Sequence, residues 1–268
     1  MTETKREEVI KVRGLVNQFG EQVVHDGLDL DIYRGEIVGV VGGSGTGKSV
    51  LMRSILGLRK FNAGSVDILG YNIEDATTEE MREIQKNTGV LFQDGALFSS
   101  LTVGENVEVP LKEYYPQLSS FVQYELALLK VKLAGLPADA FGKLPSELSG
   151  GMRKRAGIAR ALALDPPILF LDEPTAGLDP IGAAAFDQLI KTLQSALGLT
   201  VFLITHDLDT LYTICDRVAV LADKKVLINA PIKEVEKDPH PWIQEYFHGP
   251  RARAARDQHS RHVASVGV

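Results

Sequence analysis

A short glycine-rich segment between two apolar stretches constrains the fold of this chain more than any other feature. Apolar residues over 36–41 predict a buried strand before it, and Leu51, Ile55 and Leu58 have the spacing of a helix that faces a core after it. A strand, a loop of the pattern G-x-x-x-x-G-K-[ST] and a helix together aim backbone N–H groups and a helix N-terminus at a polyphosphate. We therefore predict that this loop binds nucleotide phosphates through Gly42, Gly43, Ser44, Gly45, Thr46, Gly47, Lys48 and Ser49.

Two side chains of this loop have expected roles of their own. Lys48 is expected to reach the β- and γ-phosphates, and the Ser49 hydroxyl is expected to ligate Mg²⁺. ATP and Mg²⁺ are therefore the predicted cofactors. A Gly/Ser-rich turn without a ligand is the alternative, but the flanking strand and helix and the Asp172-Glu173 pair downstream disfavour it.

Composition and charge exclude several classes of protein. The chain has 268 residues, of which 44% are hydrophobic and 24% charged, as in ordinary globular proteins. A net charge of −6 argues against a general nucleic-acid binder. Cys215 is the only cysteine, so no internal disulfide can form, and we expect a buried thiol in a reducing compartment. A polar N-terminus and the lack of an apolar run near the ~18 residues of a membrane span predict a soluble, cytoplasmic protein that reaches membranes through a partner.

The periodicity of apolar residues predicts three kinds of structure along the chain. Residues 8–40 and 64–70 alternate with a period of two, which indicates half-exposed antiparallel strands. Residues from about 101 to 165 have helical spacing, as at Leu126, Leu129, Leu133 and Leu136. Continuous apolar runs at 168–171 and 200–204, joined by a crossover helix over 183–197, are typical of a parallel sheet covered on both faces. Arginines at 251, 253, 256 and 261 predict a mobile basic tail over residues 250–268.

Polar side chains follow three of the predicted strands. Asp172 and Glu173 end the strand at 168–171, and we expect Asp172 to order Mg²⁺. Glu173 is expected either to act as general base toward the attacking water or to polarise that water. His206, after the strand at 200–204, is expected to hydrogen-bond the γ-phosphate. Gln93, after an apolar run of its own, is expected to contact Mg²⁺ and the water. Each residue alone is weak evidence, because a solvated turn or an ordinary surface side chain fits it equally well.

The segment Leu148-Ser149-Gly150-Gly151-Met152 predicts a second helix start that can bind phosphate. Its glycines allow close approach of backbone, its serine supplies a hydroxyl, and the helix that follows supplies a dipole. An ordinary Ser N-cap is the alternative. Two phosphate-binding helix starts in one chain are explained if the second one serves a nucleotide on another molecule.

Six segments follow one another along the chain: the glycine-rich loop at 42–49, Gln93, Leu148-Ser149-Gly150-Gly151-Met152, the strand that ends in Asp172-Glu173, Gly177-Leu178-Asp179 and His206. In this order they resemble the nucleotide-binding subunit of ABC transporters, over residues 7 to about 245. The resemblance implies an α/β fold: a RecA-like P-loop NTPase core with an N-terminal antiparallel β subdomain and an inserted α-helical signature subdomain. It places an ATPase domain at residues 7–249, with the helical subdomain at about 94–165 and the tail at 250–268. It also implies that ATP hydrolysis is coupled to transport.

The resemblance assigns further roles residue by residue. Phe19 matches the aromatic residue that stacks on adenine. Ser149, Gly150 and Gly151 match the signature that clasps the γ-phosphate bound to the opposite subunit, and Asp179 matches the loop that joins the two sites. Met152 stands where the family usually has Gln.

Three features within this family resemble the ATPases of Mla- and Mce-type phospholipid transporters. They are the run from Gln93 to Phe98, the signature that ends in Met152, and the segment at 238–250, which contains Trp242, Tyr246 and Phe247 and is followed by arginines. That implies a homodimer beneath an integral-membrane permease, at the cytoplasmic face of a bacterial inner membrane. It also implies a cytoplasmic STAS-domain protein and a periplasmic lipid-binding MCE-domain protein as partners, and phospholipid moved between the inner and outer membranes. No nucleic-acid partner is expected.

Two alternatives share the catalytic residues. One is the ATPase of an ABC importer for a polar solute such as an amino acid, which residues 94–115 should discriminate because they are expected to contact the permease. The other is a soluble ABC protein that acts on ribosomes or DNA. Such proteins usually carry two ATPase domains or long coiled-coil insertions, and this sequence has neither.

Overall fold

A computed structural model describes residues 6–93 and 95–249 of the chain. The strands are β1 (Glu8–Phe19), β2 (Gln22–Tyr33), β3 (Ile37–Gly42), β4 (Ala63–Ile68), β5 (Tyr71–Asn72), β6 (Thr88–Leu91), β7 (Ile168–Asp172), β8 (Thr200–Ile204), β9 (Arg217–Ala222) and β10 (Lys225–Ala230). The helices are α1 (Lys48–Ile55), α2 (Thr78–Lys86), α3 (Val103–Tyr114), α4 (Ser120–Leu133), α5 (Gly150–Ala161), α6 (Pro180–Leu197), α7 (Leu208–Ile214), α8 (Ile232–Val235) and α9 (Pro241–His248), with short 3₁₀ helices at Ala138–Gly142 and Pro145–Glu147.

The chain divides into two compact units. The first comprises the described residues up to Thr77 and from Leu203 onward, and the second comprises Thr78–Phe202. The predicted combination of antiparallel N-terminal strands with parallel pairing further along the chain is confirmed, because β1 and β2 pair antiparallel whereas β3 pairs with β9, and β6 with β7, in parallel.

The first unit contains strands of two sheets. One sheet has the order β2-β1-β4-β5 and is antiparallel throughout, with register pairs such as Val12 to Leu30 and Val12 to Val66. In the other, β9 lies between β3 and β10 and forms a hairpin with β10. Burial along β3 is continuous from Ile37 to Val41, as expected for a parallel strand covered on both faces. This strand delivers the chain to the glycine-rich loop.

The helix after that loop is shorter than its apolar spacing predicts. Leu51 and Ile55 are fully buried, but α1 ends at Ile55, and Leu58 is 60% exposed, so the predicted core position of Leu58 is wrong. Gly57, in the left-handed region with φ of 67°, ends the helix one turn early. The spacing rule fails here because it assumes that the helix continues.

The second unit combines the parallel pair β6–β7 with helices α2 to α6. Leu91 and Leu171 are register partners, so both strands end at the same edge of the pair. The predicted helices around 101–165 and 183–197 are present as α3, α4, α5 and α6. In α4, Gln123, Ala127, Lys130 and Val131 form the buried side, whereas Leu129 and Leu133 are exposed.

Three further predictions concern the surface and the ends of the chain. Cys215 is half-buried rather than buried, and it packs against a cluster that includes Val41, Leu211 and Phe247. None of the described helices is long and apolar enough to cross a membrane. The predicted basic tail at 250–268 lies outside the described residues.

Candidate active site

Neighbouring atoms leave no room for a side chain at either end of the glycine-rich loop. A Cβ on Gly42 would lie 2.3 Å from the carbonyl oxygen of Leu221, so only glycine fits there. Gly47 has φ of 96°, and a Cβ on it would lie 2.4 Å from Cγ1 of Val24. Between them, the Thr46 hydroxyl donates to the Gly43 carbonyl at 2.9 Å and closes the turn. The chain therefore enters α1 through a compact loop with little freedom at either end.

The positively charged Lys48 ammonium lies at the open side of this loop. The Lys48 ammonium folds back over it and donates to the carbonyls of Gly42 at 2.8 Å and Gly43 at 3.0 Å. Among the described residues, no side chain caps the N-terminus of α1, and the first turn of α1 has no acidic residue. An uncapped helix start beside an ammonium group attracts anions. The loop can therefore bind a polyphosphate.

A buried polar network supports the loop from beneath, and sequence reasoning did not find it. The amide of Asn17 bonds Nδ1 of His25 at 3.0 Å, and the Ser54 hydroxyl of α1 donates to Asn17 Oδ1 at 3.1 Å. All three side chains are fully buried. Burial lowers the pKa of His25 to about 4, an effect that the backbone at Thr46 and Gly47 partly opposes. A Cβ on Gly47 would lie 2.5 Å from Nε2 of His25, so the neutral ring lies directly against the loop.

Phe19 ends β1 at the hairpin turn and is 41% exposed. The Arg59 guanidinium lies over its ring, 3.6 Å from the centroid. An exposed ring with a cation on it is a stacking platform, because aromatic faces attract both cations and other flat π-systems. Phe19 can therefore stack on a base, as the sequence predicts.

His206 lies in the turn between β8 and α7, and two contacts fix its backbone. The Thr205 N–H donates to the Val40 carbonyl of β3 at 3.4 Å, and the Tyr246 hydroxyl of α9 donates to the His206 carbonyl at 3.0 Å. Trp242 stacks on Tyr246 with ring centroids 4.7 Å apart. The indole nitrogen of Trp242 would lie 3.5 Å from a Cβ on Gly43. The aromatic residues of α9 therefore contact the His206 turn, and Trp242 lies beside the glycine-rich loop.

In the second unit, Gln93, Asp172 and Glu173 follow neighbouring strand ends. Gln93 is exposed two residues after β6, and Asp172 is the last residue of β7 and is buried. Glu173 has φ of 50°, a left-handed conformation that is uncommon for residues other than glycine. Because β6 and β7 are parallel neighbours, the structure brings these three predicted residues to one edge. A carboxylate and an amide there suit a hard cation and a water molecule.

One cation links the two loops at this edge, and the sequence prediction missed it. The Lys154 ammonium of α5 donates to the Gln93 carbonyl at 3.1 Å and to the Glu173 carbonyl at 3.2 Å. The signal was present in the sequence: Lys154, Gly157, Ile158 and Ala161 share the spacing of one helix face, and all four are buried. A lysine on an apolar face needs hydrogen-bonding partners inside the protein.

The serine-glycine segment is a helix start, as predicted. Ser149 is the N-cap of α5, and its hydroxyl accepts a bond from the Met152 N–H at 3.3 Å. This is the geometry of an ordinary Ser N-cap, which is the alternative to a phosphate-binding helix start in the sequence analysis. Asp179 caps α6 in the same way and accepts from the Gly182 N–H at 2.9 Å. Gly150 and Gly151 form the first turn of α5 and leave its backbone open to a ligand.

Ser49 in the first unit and Asp172 in the second each have the donor chemistry for a magnesium ion that is held mainly by a nucleotide. Nowhere in residues 6–93 and 95–249 do three or more His, Cys, Asp or Glu side chains form a metal-binding group. Mg²⁺ rarely needs such a cage, because it binds one or two protein oxygens together with substrate phosphates and water. Ser49 and Asp172 are oxygen donors of that kind.

The sequence of this chain is similar to sequences of known proteins. The model of the ABC transporter family matches residues 25–176. The probable ribonucleotide transport ATP-binding protein Mkl of Mycobacterium leprae is 38% identical over 242 residues, which cover 90% of this chain and 69% of that protein. The intermembrane phospholipid transport system ATP-binding protein MlaF of Haemophilus influenzae is 34% identical over 241 residues, which cover 90% of this chain and 90% of that protein.

A solved structure agrees with these sequence matches. The dimeric ATP-binding cassette MJ0796, in a post-hydrolysis state bound to ADP and Pi, has a TM-score of 0.76 to this chain at 33% identity. The match covers 83% of this chain and 98% of that one. The predicted P-loop ATPase fold is confirmed by this likeness. The chain belongs to the ABC transporter family, as one of its ATP-hydrolysing subunits.

Proposed function

We propose that this chain drives a phospholipid transporter of the Mla type. The observation that carries the proposal is the extent of the match to MlaF of Haemophilus influenzae, which covers 90% of both proteins. The match to Mkl is slightly higher in identity but covers 69% of that relative. A relative that agrees with the chain over nearly its whole length is the better guide to what the chain assembles with.

Each predicted site residue has a proposed role in hydrolysis. Lys48 and the backbone of residues 42–49 bind the phosphates, and Phe19 stacks on adenine. Ser49, Asp172 and Gln93 are the proposed Mg²⁺ ligands; the ion, when bound, neutralises charge on the phosphates. The remaining roles concern the attacking water and the γ-phosphate: Glu173 takes the proton of the water, and Gln93 and His206 orient the water and the phosphate.

The second helix start has its proposed role in a dimer. Ser149, Gly150 and Gly151 present backbone N–H groups at the start of α5, where an anion binds favourably. We assign them, with Asp179, to the nucleotide of a second copy of the chain. The dimeric state named for the MJ0796 cassette supports this assignment. The ATPase domain spans residues 7–249 in this proposal, with its helical subdomain at about 94–165.

The proposed partners follow from the MlaF likeness. They are a permease in the inner membrane, a STAS-domain protein in the cytoplasm and an MCE-domain lipid-binding protein in the periplasm. With these partners, the chain lies at the cytoplasmic face of the inner membrane, and its ATP cycle moves phospholipid between the two membranes.

The test is to purify the chain with its membrane partners and to identify what they carry. Co-purified lipid is measured by mass spectrometry, and transport of labelled phospholipid is measured in proteoliposomes with ATP. Phospholipid that is bound and moved by the wild-type complex, but not moved by a Glu173→Gln complex, is the expected result. Transport of an amino acid or a ribonucleotide without any phospholipid would assign the chain to a polar-solute importer instead.

Dimer assembly has a separate test. A Ser149→Arg chain and a Lys48→Ala chain are each inactive if the sites are shared between copies. Mixing them leaves one composite site without either change in each mixed dimer, so ATP hydrolysis should partly return. No return of activity in mixed dimers that are shown to form contradicts a shared site.

A further inference from the structure

Lys154 is a buried cation that the proposed hydrolysis scheme does not yet use. It lies in the second turn of α5 and is 7% exposed. A buried ammonium is costly unless hydrogen bonds replace its water. In this protein two of those bonds go to main-chain carbonyls, those of Gln93 and Glu173. Both residues are proposed to act on the attacking water.

The two carbonyls belong to different loops. Gln93 follows β6 and Glu173 follows β7, and these strands are joined by parallel pairing up to Leu91 and Leu171. Beyond those residues the strand ladder ends, so it no longer sets the distance between the loops. Lys154 bonds both loops just past this point and bridges them with one ammonium group.

The conformation of Glu173 needs such support. Its φ of 50° lies in the left-handed region, which is strained for a residue with a side chain and persists where the surroundings hold it. The Glu173 carbonyl accepts from the Ala176 N–H at 3.2 Å as well as from Lys154. These two bonds fix the direction in which the Glu173 side chain leaves the backbone.

Helix α5 is itself tightly fixed against the loop after β6. A Cβ on Gly157 would lie 2.4 Å from Cδ1 of Leu91 and 3.3 Å from Cα of Gly95, so the helix and the loop touch without a gap. Arg160, one turn further, donates to the carbonyls of Gly95 and Ala96 at 3.2 and 2.6 Å. Lys154 therefore extends from a rigid base.

We propose that Lys154 is a positioning residue, which holds the backbone of Gln93 and Glu173 in the geometry that ATP hydrolysis requires. The proposal rests on the roles assigned above to those two residues. Lys154 does not contact the reacting atoms in this scheme; it acts through the two loops.

The main test replaces the ammonium and separates binding from turnover. Lys154→Met keeps an unbranched side chain of similar length but removes the N–H groups that donate hydrogen bonds. We expect kcat for ATP to fall about 10- to 100-fold, the range in which small misplacements of reacting groups cost rate. KM and the ATP dissociation constant should stay within about twofold, because the groups that bind phosphate are unchanged. Lys154→Arg keeps charge and donors and should recover most of the lost kcat.

A matched control lies next to Lys154 on the same helix. Arg155 also donates to main-chain carbonyls, those of Ala134 and Ala185, and within the described part of the two loops it bonds neither. Arg155→Met should therefore retain wild-type kcat. If Lys154→Met does not fold, Lys154→Gln, which keeps a donor without the charge, is measured in its place against the same control.

Hydrogen exchange in the nucleotide-free protein tests the placement without any turnover. The Gly95 N–H is bonded to the Phe92 carbonyl at 2.8 Å, and the Ala176 N–H is bonded to the Glu173 carbonyl. In Lys154→Met both amides should exchange about tenfold faster, because both turns lose an anchor. In Arg160→Met the change should be confined to the Gly95 turn.

The outcomes distinguish this inference from the proposal on which it rests. Wild-type kcat in Lys154→Met, a loss of ATP affinity equal to the loss of kcat, or unchanged exchange at Ala176 overturns the positioning role. Glu173→Gln is measured alongside: turnover by that variant would reject the general-base assignment of Glu173, while the exchange result still decides whether Lys154 anchors the loops.

Discussion

The buried histidine beneath the phosphate-binding loop makes the stability of the first unit depend on pH. His25 is fully buried, and burial lowers its pKa to about 4 from 6.5. A base whose pKa is depressed in the folded state binds fewer protons there than in the unfolded chain. Stability is therefore unaffected above the unfolded pKa, decreases as the pH drops through 6.5, and stops decreasing below about 4.

The size of the effect follows from these two values. Between about pH 7.5 and about pH 5, the difference in proton binding by one such histidine integrates to about 2 kcal/mol. That is a large part of the ~5–15 kcal/mol by which a folded protein is stable. The full depression of the pKa, reached below about pH 4, corresponds to about 3 kcal/mol.

The assay uses the only tryptophan of the chain. Trp242 lies in the same unit as His25, so its fluorescence during urea denaturation reports the unfolding of that unit. The wild type should lose about 2 kcal/mol more than His25→Leu between the two pH values. Other titrating groups are common to both proteins and cancel in the difference. His25→Gln, which keeps polar atoms in the site, should give the same flattened pH dependence.

A particular result would refute this reasoning. If the wild type and both variants lost the same free energy of unfolding on acidification, within about 0.5 kcal/mol, His25 would not be neutral in the folded protein at mildly acidic pH. The ring would then carry its proton against the loop, and the bond from the Asn17 amide to Nδ1 could not form as described.

Three further predictions concern the glycine-rich loop and Glu173, the proposed general base. Glu173→Gln should lower steady-state ATP hydrolysis by about 10²-fold or more while ATP binding, measured by calorimetry, is retained; a variant with half of the wild-type activity would exclude the general-base role. Lys48→Ala should weaken ATP binding itself, because it removes the ammonium at the mouth of the loop, and equal calorimetric affinities of wild type and variant would contradict this. Gly47→Ala should destabilise the protein by about 2 kcal/mol more than Gly45→Ala, since both glycines have positive φ but only the new Cβ at 47 collides with Val24 and His25; equal denaturation midpoints would show that the loop relaxes around it.

Much of the fold could be predicted because the pattern of apolar residues agrees with the strands and helices that the chain forms locally. Continuous apolar runs became β3, β7 and β8, and the glycine-rich motif lies between the strand and the helix that it requires. The prediction for Leu58 failed, because its spacing suits a core position but α1 ends before it. The helical spacing at Leu129 and Leu133 correctly predicted α4. Spacing alone did not say which side of that helix is buried, and Ala127 and Val131 are buried there.

The contacts of the polar residues inside the protein could not be predicted from the periodicity of apolar residues. The contacts of His25 and Lys154 are with groups distant in sequence. His25 contacts the backbone of the loop at 46–47, and Lys154 donates to the carbonyls of residues 93 and 173. A polar side chain within an apolar pattern needs a hydrogen-bonding partner inside the protein. Which group satisfies it depends on tertiary packing, and that information is not local.

The two glycine-rich helix starts differ in how they are prepared for phosphate. At α5 the Ser149 hydroxyl already accepts the Met152 N–H, so this helix start is ordered before any ligand arrives. At α1 the described residues supply no side-chain cap, and the Lys48 ammonium donates to carbonyls of its own loop. A phosphate bound at α1, as proposed, would compete with these carbonyls for the Lys48 ammonium and would gain the helix N–H groups. The loop at α1 would then change on binding, whereas the start of α5 would present a surface that is already ordered.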